Sequence, residues 1–158
     1  MDLDRLLAVL HEANVQFVII GGVAATIHGS ARLTSDLDVV YGRDRENLER
    51  LVSALQPLEP YLRGAPPGLP FRFDADTLRK GLNFTLTTTA GPLDLLGEVA
   101  GLGGYENALE HSIEVQLFGS ATRCLNLEAL IRAKRAAGRP RDLETIAELE
   151  AVREESDR

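Results

Sequence analysis

A single cysteine, Cys124, stands in the 158-residue sequence. No disulfide can close within the chain, and a reducing cytoplasm is the expected setting. No apolar run reaches the ~18 residues of a membrane span, so no transmembrane segment is expected. The N-terminal MDLDRLLAVLHEA is acidic and amphipathic, unlike the basic-then-apolar layout of a secretory signal. Bases are in deficit: 24 acids against 17 Lys and Arg give a net charge of -7. That balance argues against a general nucleic-acid coat. Internal repeats and low-complexity tracts are absent. No Gly-Lys-Ser/Thr follows any glycine pair, which excludes a P-loop. In Gly101-Leu102-Gly103-Gly104, Glu106 takes the last glycine position of a dinucleotide fingerprint. The histidines look incidental: His28 precedes Gly29 at a helix end, and His11 and His111 have no partner at ligand spacing. Cys124 lies in an apolar strand and reads as core rather than nucleophile.

What is present is an ordinary globular composition, 44% hydrophobic and 26% charged. A chain of this size buries roughly two thirds of its unfolded surface. Apolar residues at 3, 6, 7 and 10 predict a helix over 2–14. Val15–Ile20 is nearly all apolar and β-branched, which fits a strand covered on both faces. Gly21-Gly22 ends it, and a short helix follows, closed by Gly29. A second strand is expected over Asp36–Tyr41, then a helix over Asp44–Leu55 with Asp44 as N-cap. Residues 56–70 carry five of the seven prolines and read as a mobile loop. Phe71–Phe73 reads as a short strand. Hairpins are expected from 82–88 with 92–96, and from 113–118 with 121–125. Helices at 127–137 and 140–152 complete the chain, Gly138 stopping the first of them. The class is α/β in a mixed α+β sense: a central mixed sheet flanked by helices. Residues 1–126 form the core and 127–158 a helical segment packed on it as one unit.

Three acids stand out. On a strand, positions i and i+2 share a face, so Asp36 and Asp38 project side by side. Two such carboxylates repel unless a cation lies between them or one is protonated. Oxygen-only ligands suit hard cations such as Mg²⁺, and paired ions about 4 Å apart clamp both oxygens of a phosphoryl transfer. Asp94, in the apolar run PLDLL, is a charge that needs a partner, a metal or an exposed strand edge. A second Asp-x-Asp, Asp74-Ala75-Asp76, lacks a following apolar strand and reads as a helix cap or turn. Asp36–Tyr41 is no EF-hand loop, since Val40 and Tyr41 fill positions that need Asp/Asn and Gly. Gly21-Gly22 permits either a tight turn or a phosphate's approach to helix N–H groups. Lys134 shares the inward face of Leu127, Leu130 and Ile131, so it either snorkels out or meets a buried anion. Asp142 is either an acid complementing a helix dipole or part of the same site. From Arg132 to Arg141 run five bases and no acid, either a solvated helix face or a local phosphate grip.

Apolar-Gly-Gly, thirteen intervening residues, then Asp-apolar-Asp-apolar-apolar resembles the signature of the polymerase-β-like nucleotidyltransferases. FVIIGGVAATIHGSARLTSDLDVV with the later LEALIRAKRAAGRPRDLETI is similar to the AbiEii-type (MenT-like) branch, some of whose members are toxins paired with an antitoxin. The resemblance spans roughly Phe17 to Leu149. It implies the nucleotidyltransferase fold and transfer of NMP from an NTP to an acceptor hydroxyl, releasing pyrophosphate. It implies two Mg²⁺ ions, with Mn²⁺ as a substitute, held by Asp36, Asp38 and Asp94, the last also positioning the acceptor. Gly21, Gly22, Arg32, Thr34, Lys134 and Asp142 would bind the nucleotide. Many relatives have Gly-Ser where this chain has Gly21-Gly22, leaving only backbone N–H groups here. The acceptor is left open: RNA such as a tRNA end, a protein or a small molecule. Alternatives are a non-catalytic nucleotide- or partner-binding module and an antibiotic-modifying nucleotidyltransferase.

Overall fold

A computed structural model describes all 158 residues, Met1–Arg158. Helix α1 (Leu3–Glu12) starts where the Asp2 carboxylate accepts the Arg5 N–H and buries Leu6, Leu7 and Leu10. The apolar run after it becomes β1 (Phe17–Ile20), all four residues of which are buried. It leads without a loop into α2 (Gly21–Ile27), so the two glycines are the first residues of that helix. Strand β2 (Leu37–Tyr41) and helix α3 (Arg45–Leu55) follow. Asp44 caps α3 by accepting the Asn47 N–H at 3.2 Å. Asp36 sits in a bend just before β2 rather than inside the strand.

The proline-rich stretch departs from expectation. It holds a 3₁₀ turn (Gln56–Leu58) and a short strand, β3 (Tyr61–Leu62), paired antiparallel to β4 (Asn83–Thr87). The Arg63 N–H continues that pairing, reaching the Thr85 carbonyl at 2.9 Å. Phe71–Phe73 forms no strand: the Phe71 ring meets Tyr61 edge-on and Phe73 at a tilt, so they fold the loop onto itself. Asp74 caps α4 (Ala75–Lys80) through the Thr77 N–H at 2.8 Å, the role read for the second Asp-x-Asp. Strand β5 (Leu93–Leu96) pairs antiparallel with β4 as the expected hairpin. Helix α5 (Tyr105–Glu110), too short for a clear period, went unpredicted. Strands β6 (Ser112–Leu117) and β7 (Ser120–Leu125) form the second hairpin. Helix α6 (Leu127–Ala137) begins at Asn126, which caps Ala129, and stops at Gly138 in the left-handed region, φ +64°. The last helix, α7 (Asp142–Ser156), starts two residues after Pro140 rather than at it.

The seven strands form one mixed sheet in the order β3-β4-β5-β2-β1-β7-β6. Strand β2 runs antiparallel to β1 and parallel to β5, and β1 runs parallel to β7. This pairing sets the site. In the β2–β5 register Asp38 stands opposite Asp94, and in the β1–β2 register it stands opposite Ile20, the residue before Gly21. Helices α6 and α7 pack on each other, and α6 also meets α2. Their buried residues, Leu130, Ile131, Ile146 and Leu149 among them, join the core built around β1 and β2. No helix is long and apolar enough to cross a membrane.

Candidate active site

Sheet register brings two carboxylates together, and the bend before β2 adds the third. Oxygens of Asp36, Asp38 and Asp94 all lie within 4.8 Å of one another, and each residue is half-buried. Burial pushes the Asp38 carboxyl up to about 8, aided by the negative charge of Asp36 and by hydrogen bonding and charge at Asp94. The ammonium of Lys134 pulls the other way, without prevailing. Like charges crowded in a partly dry place raise each other's proton affinity. The donor set is all oxygen and strongly negative, which fits a hard divalent cation such as Mg²⁺.

The glycines have a reason the sequence did not disclose. A Cβ on Gly21 would lie 2.0 Å from the Asp38 carboxylate, and Gly21 has φ +69°. It is bare because Asp38 fills the space beside it and because its backbone is left-handed. A Cβ on Gly22 would come 2.7 Å from the Thr34 hydroxyl. Thr34 donates that hydroxyl to the Asp36 carbonyl at 3.1 Å, fixing the bend that presents Asp36. Arg32 lies on the rim, ion-paired with Glu144 of α7 and half exposed.

Lys134 does not snorkel out. It is 8% exposed, and its Nζ lies 3.8 Å from Asp142 Oδ1. Burial lowers the proton affinity of its ammonium, against the pull of Asp142 and Asp38. Asp142 is 3% exposed, in the first turn of α7. Burial alone would raise its pKa, but the Arg139 guanidinium, bonded at 2.8 Å, and Lys134 hold it below the usual carboxylate range. Of the basic run, Lys134, Arg139 and Arg141 face the site. Arg135 pairs with Glu150, and Arg132 is exposed. The run is thus divided between bases that line the cavity and bases turned to solvent.

Two adjoining cavities meet at the acids, about 270 and about 340 Å³ in volume. They share Gly21, Asp38, Asp94, Lys134 and Arg139. The first adds Gly22, Ser30, Arg32, Thr34, Asp36 and Arg141 and is polar, with cations opposite the acids. The second is half apolar, lined by Leu96, Val99, Leu130 and Ala133 together with Asn83 and Glu98. Every site residue expected from sequence lines one or both.

One residue was missed. Arg63, from the proline-rich stretch, donates its Nη2 to Asp94 Oδ1 at 2.7 Å and to the Leu86 carbonyl at 2.7 Å. Its Nη1 lies 3.8 Å from Asp36 Oδ2. Nothing local in YLRG marks it, because its position comes from β3 pairing with β4. The histidines are structural: His11 pairs with the Thr122 hydroxyl, His28 with the Leu125 carbonyl and His111 with the Asn107 carbonyl. Cys124 is fully buried, and burial pushes its thiol up to about 12, which keeps it unreactive.

No protein-family model and no curated protein sequence matches the chain. Among solved structures it is similar to the lincosamide antibiotic adenylyltransferase LnuA in its lincomycin-bound form, at 14% identity over 96% of each chain, TM-score 0.63. It is also similar to ANT(2'')-Ia in complex with adenylyl-2''-tobramycin, at 17% identity over 94% of this chain and 91% of that one, TM-score 0.57. An antigenic nucleotidyltransferase-like protein from Paracoccidioides brasiliensis matches at 17% identity over 94% of this chain and 77% of that one, TM-score 0.54. The mixed sheet with its flanking helices is the nucleotidyltransferase fold.

Proposed function

We propose that the protein is a Mg²⁺-dependent nucleotidyltransferase that moves NMP from an NTP to an acceptor hydroxyl. The observation that carries this reading is the acid cluster at the junction of two cavities, a polar one with bases as well as acids in its wall and one that is half apolar. Triphosphate fits the first cavity, where Lys134, Arg139 and Arg141 offset its charge and the start of α2 offers backbone N–H groups. Asp36 and Asp38 would hold Mg²⁺, with Asp94 completing the oxygen set or orienting the acceptor. When bound, the ion offsets charge on the phosphates and stabilises the pyrophosphate leaving group. The acceptor sits in the second cavity with its hydroxyl toward Asp94. Its oxygen bonds to the α-phosphorus, the bond from that phosphorus to the α–β bridging oxygen breaks, and pyrophosphate leaves with the bond's electrons. The hydroxyl proton passes to Asp94 and on to water.

A non-catalytic binding module fits less well. Three carboxylates this close repel one another beyond what Arg63 and Lys134 offset, as the raised Asp38 shows, and a module that only grips phosphate has no use for them. Two acceptor classes stand on different grounds. The AbiEii-type resemblance supports RNA, a tRNA end included, with an antitoxin as partner and action in the cytoplasm. The half-apolar second cavity supports a small molecule, as do structural neighbours solved with lincomycin and with adenylyl-2''-tobramycin.

The test is incubation with each α-labelled NTP and Mg²⁺, with cell RNA, protein extract, aminoglycosides and lincosamides in separate reactions. Label is expected on one acceptor class. Transfer that persists in the Asp36→Ala/Asp38→Ala double variant refutes the mechanism.

A further inference from the structure

The Arg63 guanidinium is fastened at the acid cluster. Its backbone is held in the sheet through Thr85, one nitrogen bonds both Asp94 Oδ1 and the Leu86 carbonyl, and the other approaches Asp36. Its Nε is buried with no hydrogen-bond partner. A side chain that leaves a donor unpaired in order to reach a carboxylate is held there by that carboxylate. The bond is charge-assisted, the strong kind, and the arginine stays charged at any working pH.

We propose that Arg63 is a built-in counter-ion reserving Asp94, so that the nucleotide-free site takes one divalent ion, on Asp36 and Asp38, rather than two. The inference rests on the nucleotidyltransferase reading and deepens it. A carboxylate oxygen that accepts an arginine N–H at 2.7 Å is a poor ligand for a second cation, since the guanidinium's charge repels it. Asp36, at 3.8 Å from the other nitrogen, is held loosely enough to turn to a metal. Arg63 forms its ion pairs with Asp94 and Asp36 and none with Asp38. Asp94 then acts on the acceptor hydroxyl rather than on a metal, and Arg63 is a positioning residue that decides this division.

The experiment counts bound Mn²⁺ by electron paramagnetic resonance of the free ion during titration of the nucleotide-free protein. One ion per chain is expected for the wild type, and Asp94→Asn leaves that count at one. Arg63→Gln frees Asp94 and is expected to raise the count to two. Arg63→Gln/Asp94→Asn returns it to one, and Arg63→Lys behaves as the wild type. Two ions on the wild type overturn the proposal while leaving the nucleotidyltransferase reading intact. So does loss of the wild-type ion in Asp94→Asn, an arm that needs no change at Arg63 and so survives misfolding of the Arg63 variants. If neither the wild type nor Arg63→Gln binds an ion, with or without a non-hydrolysable NTP, both proposals fall.

Discussion

Gly21→Ala tests whether the first glycine is there for Asp38. At φ +69° an alanine pays the left-handed penalty of about 1–2 kcal/mol. The new Cβ would stand 2.0 Å from Asp38 Oδ2 and 2.8 Å from its Cγ, so Asp38 must turn away. Asp38 is flanked by Asp36 and Asp94 and leaves the position it holds between them, and an off-rotamer side chain costs about 0.5–1.5 kcal/mol. Together these amount to about 1.5–3.5 kcal/mol. A domain of this size loses roughly 2–4 °C per kcal/mol, so a fall of roughly 3–14 °C in Tm is expected. The discriminating measurement is the cycle with Asp38→Ala, read by urea midpoints without metal. In the Asp38→Ala background the clashes with Oδ2 and Cγ are gone and only the backbone penalty and the 2.9 Å approach to the Cβ remain, so Gly21→Ala should cost about 1 kcal/mol less than in the wild type. Gly22→Ala is the control: its φ is ordinary, and it meets a threonine hydroxyl rather than a constrained carboxylate. Additivity of Gly21→Ala and Asp38→Ala to within about 0.4 kcal/mol would refute the close-approach argument and leave phosphate access as the reason for the glycine.

The remaining predictions follow from the same contacts. Asp38 holds its proton up to about 8 when folded but releases it in the ordinary carboxylate range when unfolded. Between those limits the unfolded chain binds fewer protons, so metal-free stability falls as pH rises. Asp38→Asn should remove that fall, as judged by urea midpoints near pH 5 and near pH 8; equal slopes in wild type and variant would contradict it. Lys134→Met should weaken NTP binding by calorimetry roughly 10–100-fold, the range of one charge-assisted hydrogen bond. The fold should survive, because Asp142 keeps its 2.8 Å bond from Arg139. An unchanged Kd would remove Lys134 from the phosphate site. Leu149→Ala, at a fully buried position of α7 in the common core, should cost about 2–5 kcal/mol. If 127–158 belongs to one unit with the sheet, as proposed, unfolding stays a single transition; a separate early transition of the C-terminal helices would contradict that. Ala137→Trp, exposed at the edge of the second cavity, should abolish label transfer while leaving NTP affinity unchanged; lost NTP binding would reverse the assignment of the two cavities.

Much of the site was legible because its parts obey local rules. Asp38 lies on the strand the sequence marks and Asp36 reaches it from the bend just before that strand, Lys134 falls inward by helical period, and Asp44 and Gly138 mark helix ends by cap chemistry. What escaped was set by pairing between distant strands. The 56–70 stretch is rich in proline and reads as a loop, yet two of its residues find an edge strand to join. That docking delivers Arg63 to the acids, and no window around Tyr61–Gly64 contains the information.

The glycines show the same division from the other side. Their presence was readable, and so was their link to the aspartates, but the spacing alone suggested that the two groups meet through a ligand. The register says they meet directly: Ile20 lies opposite Asp38, so the next residue along must clear the aspartate's side chain. Gly21 therefore serves the acids before it serves any phosphate, and Gly22 serves Thr34, which shapes the bend at Asp36. One stretch of chain builds the acidic face twice over, supplying two carboxylates and, fifteen or so residues earlier, the absence of side chains that lets them stand where they do. Substitutions at Gly21 should therefore disturb ion binding even with no nucleotide present, whereas a glycine kept for phosphate access would show its loss only in NTP affinity. Mn²⁺ titration of Gly21→Ala without nucleotide separates the two: a weakened ion is expected, and an unaltered one would return the glycine to the phosphates.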